Sequence, residues 1–140
     1  MRVIVCGGRS YDEWRTVAHT LDTMDPTISV LIQGGAPGAD RLAEKWANTR
    51  GVPVVTYPAN WSRGKKAGPE RNDFMLRDSR ADLVVAFPGG RGTEDMIRRA
   101  EMAGVPVVSV RNCANRIEVA DSRRQKPAVY LSLDGRSGRI

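Results

Sequence analysis

The sequence predicts an α/β chain built on an open, doubly wound, mostly parallel sheet, in a single domain with a small edge strand near its C-terminus. Three observations carry this. Five short apolar runs are β-branched and continuous instead of alternating, the pattern of strands covered on both faces. Amphipathic helical patterns lie between them. Glycine punctuates the joints, and strand–helix–strand units with such links wind as right-handed crossovers.

In chain order, "RVIVC" (2–6) is the first strand and "YDEWRTVAHTLDTM" (11–24) the first helix. "ISVLIQ" (28–33) is followed by "GADRLAEKWANTR" (38–50), which Gly51 ends, because glycine accepts the left-handed conformation that closes a helix. "VPVVTY" (52–57) leads into a long connection, residues 58–72, and then "PERNDFMLRDSR" (69–80). "DLVVAF" (82–87), the helix "GTEDMIRRAEMA" (92–103) closed by Gly104, and "VPVVSV" (105–110) complete the regular part. Residues 111–125, with two asparagines and several charges, read as irregular or weakly helical. "AVYLSL" (128–133) reads as the edge strand and "DGRSGRI" as a frayed end. The organisation expected is a core over residues 1–110 and a basic extension, 111–140, packed on the same domain.

At 140 residues, 41% hydrophobic and 27% charged, the chain can bury a core without disulfides or a structural metal. With no long apolar span and no signal peptide, it is expected to be cytoplasmic and to have no membrane partner. Cys6 and Cys113 form no CxxC pair, so no metal site is expected. Cys6 reads as a small buried hydrophobe in preference to a nucleophile, and the single histidine, His19, lies away from the glycine loops, which disfavours a histidine base. No cofactor is expected. The net charge of +6 is uneven: residues 111–140 hold seven basic and three acidic side chains, leaving +2 for the first 110. Such a tail is a weak nucleic-acid signal, and nucleic acid ranks below a small molecule as partner.

Three glycine-bearing turns follow three of the strands: "CGGRSYDEW" (6–14), "QGGAPGADRLAEKWA" (33–47) and "FPGGRGTEDM" (87–96). In a doubly wound sheet all three fall on the carboxyl edge, where ligands sit. A helix start offers unpaired amides and the positive end of a dipole, which suits phosphate. Glycines also make tight turns that bind nothing, so one loop decides little; three on one edge favour a phosphate-bearing ligand. The candidate contacts are Gly7, Gly8, Arg9, Gly34, Gly35, Gly38, Asp40, Asn72, Pro88, Gly89, Gly90, Arg91, Gly92 and Thr93. Asp40 reads as a helix-start acid or as an acceptor for ribose hydroxyls. Arg71 is placed to fork onto a phosphate or ribose. Trp61, Arg63, Lys65 and Lys66 occupy the long connection, where Trp61 either stacks on a base or packs on the sheet edge. No GxxxxGK[ST] motif is present, which disfavours an ordinary triphosphatase.

Together "GGRSY", "QGGAPGAD", "PERNDFM" and "FPGGRGTED" resemble the SLOG superfamily, which contains the DprA/SMF and Lonely Guy proteins, and within it the YspA cpYpsA-related branch. The resemblance covers about residues 1–110 and implies a Rossmann-like fold that binds a nucleotide or nucleotide derivative. Lonely Guy enzymes, which cleave the N-glycosidic bond of nucleoside 5′-monophosphates, carry PGGxGTxxE and an upstream ERKxxM. "PGGRGT" matches, and "ERNDFM" aligns Arg71 with the functional arginine, but Met96 stands where the family has glutamate. Asp95 and Glu94 are the neighbouring acids that a hydrolase reading must use, with Arg71, as its catalytic residues. One position on a helix is a rotation of about 100°, so binding or sensing of a nucleoside phosphate, or of an NAD- or ADP-ribose-like molecule, ranks first. Phosphoribohydrolase activity ranks second, and DprA-like binding of single-stranded nucleic acid third. A homo-oligomer pairing through the helix of Met96, Ile97 and Met102 is a further expectation.

Overall fold

A computed structural model of the chain describes residues 1–113, 116–121, 129–132 and 137–139. Five parallel strands alternate with four helices: β1 (Arg2–Cys6), α1 (Trp14–Asp22), β2 (Val30–Gln33), α2 (Ala39–Arg50), β3 (Val54–Thr56), α3 (Ala67–Ser79), β4 (Leu83–Ala86), α4 (Arg91–Met102) and β5 (Val107–Cys113). Three antiparallel strands follow, β6 (Arg116–Asp121), β7 (Val129–Ser132) and β8 (Ser137–Arg139), giving the sheet order β3-β2-β1-β4-β5-β6-β7-β8. The predicted α/β, doubly wound, Rossmann-like architecture is therefore what the chain forms.

The continuous apolar runs have a direct cause. Along β1, Val3 and Val5 face one layer while Ile4 faces the other, and all three are fully buried. Val3 and Val5 join Leu31, Leu83, Val85 and Val108 beneath Val17, Leu21, Ala43 and Trp46 of α1 and α2. Ile4 joins Ile32, Val84 and Val107 beneath Met75, Leu76, Met96 and Ala100 of α3 and α4. With both faces covered, the central strands are apolar at consecutive positions, Gln33 at the end of β2 being a buried polar exception. The predicted glycine stops hold as well: Gly51 and Gly104 take positive φ, and the following amides of Val52 and Val105 return to the carbonyls of Ala47 and Ala100.

Three expectations need correction. The connection after β3 is not a loop as far as Asn72; a 3₁₀ helix occupies Trp61–Lys66, and α3 starts at Ala67, so Pro69 sits in the first turn, where a missing amide costs nothing. Residues 111–125 are not irregular or helical where described: β5 runs on to Cys113, and β6 pairs with it from Val108↔Asp121 to Cys113↔Arg116. The cue was the alternation of Ile117 and Val119 with charged neighbours, which is a strand period. Within 128–133, β7 spans Val129–Ser132, but it is not the edge, because β8 pairs along its other side with residues 137–139 of the segment expected to fray. The remaining positions of these segments lie outside the described residues. Residue 110 falls inside β5, so the sheet runs through the boundary drawn there.

Trp46 is the largest fully buried side chain. Its indole Nε1 donates to Asp22 Oδ1 at 2.8 Å, and Arg50 donates to the same carboxylate at 3.0 Å through both Nε and Nη2, which ties α1 to α2. Trp46→Ala is expected to cost about 3–5 kcal/mol in urea unfolding, whereas Arg50→Ala, on the exposed end of the same link, costs about 1 kcal/mol or less.

Candidate functional site

The strand order reverses at β1, whose neighbours are β2 and β4, so the turns leaving these three strands meet at the carboxyl edge. They meet main chain to main chain. The Gly8 amide donates to the Pro88 carbonyl at 2.9 Å, and the Gly8 carbonyl accepts from the amides of Tyr11 at 3.2 Å and Ala39 at 3.1 Å. Gly38 has φ +80°, and a Cβ there would overlap the Gly8 carbonyl; a Cβ on Gly89 would lie 2.7 Å from the Gly8 amide and overlap the Thr93 hydroxyl. Much of the predicted glycine set therefore packs turn on turn.

Two side chains then brace the turns. Asp40, buried in the first turn of α2, accepts from the amides of Gly34 and Ala36 through Oδ2, both at 3.1 Å. Arg71, on α3, donates through Nη1 to the carbonyls of Gly34 (2.8 Å) and Tyr57 (3.3 Å) and through Nε to Asn72 Oδ1 at 3.0 Å. A Cβ on Gly34 would overlap this guanidinium, so the glycine makes room for the arginine. Asn72, also buried, donates from Nδ2 to the Gly92 carbonyl (3.1 Å) and to Asp95 Oδ2 (3.0 Å). Arg99 and Arg98 hold the same carboxylate at 2.9 and 2.8 Å.

A cavity of about 280 Å³ opens between these groups. Of the predicted residues it is bordered by Gly7, Arg9, Gly34, Asp40, Arg71, Asn72, Gly90, Arg91, Gly92 and Thr93. Gly8, Gly35 and Gly38 lie behind it in the packed turns, with the Gly35 amide on Gln33 Oε1. Pro88, Gly89 and Glu94 face a second cavity, and Asp95 borders neither. Met96 is fully buried in the core, as its neighbour Ile97 partly is, while Met102 is exposed. Cys6, Ala36, Gly68 and Met75 also line the first cavity, and sequence offered no signal for these small or apolar groups. Trp61 stands at the rim, 58% exposed, with the Arg9 guanidinium 5.6 Å from its ring centre. Arg63 instead pairs with Glu70, and Lys65 and Lys66 do not border the cavity.

The floor is electrically structured. At α4, the amides of Arg91, Gly92 and Thr93 have no backbone acceptor among the described residues, since Glu94 is the first to bond back, to Gly90. Arg71 Nη2 and Asp40 Oδ1 are likewise uncommitted among the described residues. Burial pushes the Asp40 carboxyl above its ordinary range, with the Ala36 amide, the Arg71 charge and the Gly34 amide resisting. Burial, then the Asp40 charge, pushes the Cys6 thiol far up despite Arg71, which disfavours the thiolate that a nucleophile needs. Among the described residues no cluster of three or more His, Cys, Asp or Glu could hold a metal, and no helix is long and apolar enough to cross a membrane.

Burial also pushes Asp95 up, but the bonds from Arg99, Asn72 and Arg98 outweigh it and hold the carboxyl below the usual range. A depressed carboxyl contributes stability that is present above its unfolded pKa of about 3.9 and is lost as pH falls through the folded value. Acid unfolding followed by circular dichroism should therefore show a steeper loss below about pH 4 in the parent chain than in Asp95→Asn. Gly38→Ala should cost roughly 3 kcal/mol or more in urea unfolding, from the positive φ together with the clash on Gly8.

Comparison with known proteins agrees with this architecture. The model of the YspA, cpYpsA-related SLOG family matches residues 1–64. Gene 61 protein of Mycobacterium phage D29 is 38% identical over 120 residues, covering 77% of this chain and 94% of that protein. Among solved structures, DNA processing protein A (DprA) from Streptococcus pneumoniae superposes with a TM-score of 0.64 at 20% identity, over 81% of this chain and 51% of that one. The chain thus spans about half the length of DprA. Glycinamide ribonucleotide transformylase 1 from Symbiobacterium toebii superposes with a TM-score of 0.50 at 11% identity, over 100% of this chain and 73% of that one. At these identities both show a shared fold. The phage relative matched over nearly its whole length and the family model matched across the first two glycine turns lead to one conclusion: this chain belongs to the YspA, cpYpsA-related SLOG family.

Proposed function

We propose that the chain binds a nucleotide or nucleotide derivative, a nucleoside phosphate or an NAD- or ADP-ribose-like molecule, and acts as a cytoplasmic sensor or binding protein. The observation that carries this is Gly92. It lies in the first turn of α4 with no positive φ, and a Cβ there would meet nothing within 4 Å. A helical glycine costs roughly 0.5–1 kcal/mol relative to alanine, and here neither conformation nor packing requires it. Close approach of a ligand to the main chain supplies the missing reason, and three amides without a backbone acceptor among the described residues, at the positive end of the helix dipole, suit a phosphate. Arg71 Nη2 and Arg9 add charge-assisted donors, Asp40 Oδ1 offers an acceptor for a sugar hydroxyl, and the exposed face of Trp61 suits a base.

Binding ranks above hydrolysis because Asp40 is the one carboxylate bordering the cavity among the described residues. Asp95 is consumed by Asn72, Arg98 and Arg99, Glu94 faces elsewhere, and Met96 is in the core. A single-stranded DNA reading draws on the DprA likeness, but Trp61 is the one exposed aromatic side chain at this cavity among the described residues.

Titration calorimetry against nucleoside mono- and diphosphates, NAD and a single-stranded oligonucleotide tests these readings. Gly92→Leu should leave stability unchanged or slightly raised while lowering nucleotide affinity by about a hundredfold, and Arg9→Ala, at an exposed position, by about tenfold. Nucleotide binding untouched by Gly92→Leu would refute the placement of the phosphate. Release of free base from a nucleoside monophosphate would restore the hydrolase reading.

A further inference from the structure

A second cavity, of about 670 Å³, lies on the other side of the same glycine turn. Thr93 borders both cavities; Pro88 and Gly89 line the second, and the next residues, Gly90, Arg91 and Gly92, line the first. The turn is thus a ridge one or two residues wide, about 4–8 Å of main chain, and its crest at Gly89 and Gly90 carries no side chain. A Cβ on Gly90 would meet nothing within 4 Å, so the space beside Gly90 is open, whereas Gly89 packs against Gly8 and Thr93. The amides at the start of α4 that lack a backbone acceptor among the described residues stand at this divide. The first cavity alone is at the small end of ligand pockets, which span roughly 300–1,000 Å³.

The second cavity has its own chemistry. Phe87 and Val110 are buried, Ile97 is partly so, and these form an apolar floor; Ser109 offers a hydroxyl, and the exposed Glu94 and Arg111 stand at the rim. Of the two rim charges the Glu94 carboxylate accepts from hydroxyls and repels a terminal phosphate, while the Arg111 guanidinium donates to either, so a hydroxyl-bearing group suits both. That favours a sugar-bearing group over an extended phosphate chain.

We infer that the ligand has two parts: a nucleoside diphosphate whose phosphates cross the ridge at α4, and a second sugar esterified to the terminal phosphate, seated in the cavity of Phe87, Ser109 and Glu94. The inference rests on the nucleotide reading above and narrows it to the pyrophosphate-linked class. Glu94, which sequence offered as a catalytic acid, becomes a binding residue for the sugar diol.

Matched pairs test it by calorimetry: ADP against ADP-ribose, and GDP against GDP-mannose. In at least one pair the sugar-bearing member is expected to bind about tenfold or more tightly than the plain diphosphate. Ser109→Phe, which fills the second cavity, should erase that advantage and leave diphosphate affinity within about twofold. Glu94→Ala, at an exposed helix position that keeps the fold, should reduce the advantage by about fivefold without weakening the diphosphate, whose terminal phosphate it no longer repels. Diphosphate binding with no gain from the sugar overturns this inference alone, as does a gain that survives both substitutions. Failure of all four compounds to bind overturns it together with the nucleotide reading.

Discussion

The site depends on backbone packing against backbone. Three strand-ending turns are held in contact through the peptide group of Gly8, whose amide bonds the Pro88 carbonyl and whose carbonyl takes the amides of Tyr11 and Ala39. Side chains at Gly38 or Gly89 would separate them. Because a main-chain contact has no rotamers to adjust, it ties the starts of α2 and α4 to each other through Gly8. A β-carbon in this layer therefore acts on the whole carboxyl edge and not on one turn.

Above that layer a polar chain links the helices. Arg71 reaches from α3 to the turn after β2, Asn72 binds it and holds the first turn of α4, and Asp95 closes the chain with Arg98 and Arg99. Partly buried networks of this kind stiffen when every member is satisfied and are costly to break at the buried Asn72 and the largely buried Asp95. The same chain divides the labour among the acids. Asp95 is committed to structure, Met96 fills the core, and among the described residues Asp40 is the one carboxylate bordering the cavity, with one oxygen bracing two amides. The glycine residues divide likewise. Gly38, Gly34 and Gly89 serve close packing, whereas Gly90 and Gly92 leave open space beside the helix start. By contrast, the 3₁₀ segment bearing Trp61 buries none of its residues and is tethered by the Arg63–Glu70 pair and the Arg9–Trp61 contact.

Much of the fold was legible in the sequence because periodicity and glycine report local facts. The runs at 2–6, 28–33 and 82–87 are apolar at consecutive positions because both faces of β1, β2 and β4 are covered, and Gly51 and Gly104 end helices because positive φ is cheap only for glycine. The antiparallel end was misread because the charges around Ile117 and Val119 hid a period of two, and because a strand pairing such as Val108↔Asp121 is a non-local fact. The cavity was legible to the level of its turns. Arg9, Asp40, Arg71, Asn72 and residues 90–93, all named from the sequence, border it, while Cys6, Ala36 and Met75 carry no chemical signature that marks them as lining.

By itself the sequence determined the order of elements, the carboxyl edge on which the glycine turns fall, and the residue types able to meet an anion there, since these follow from local propensity and the handedness of crossovers. Only the tertiary structure decided which glycines are spent on packing, that Asp95 turns to Asn72 and away from the cavity, and that one turn separates two cavities. The reason is geometric. A side chain's direction and the space beside it are set by neighbours distant in sequence, and those distances exist only once the sheet has brought β1, β2 and β4 together.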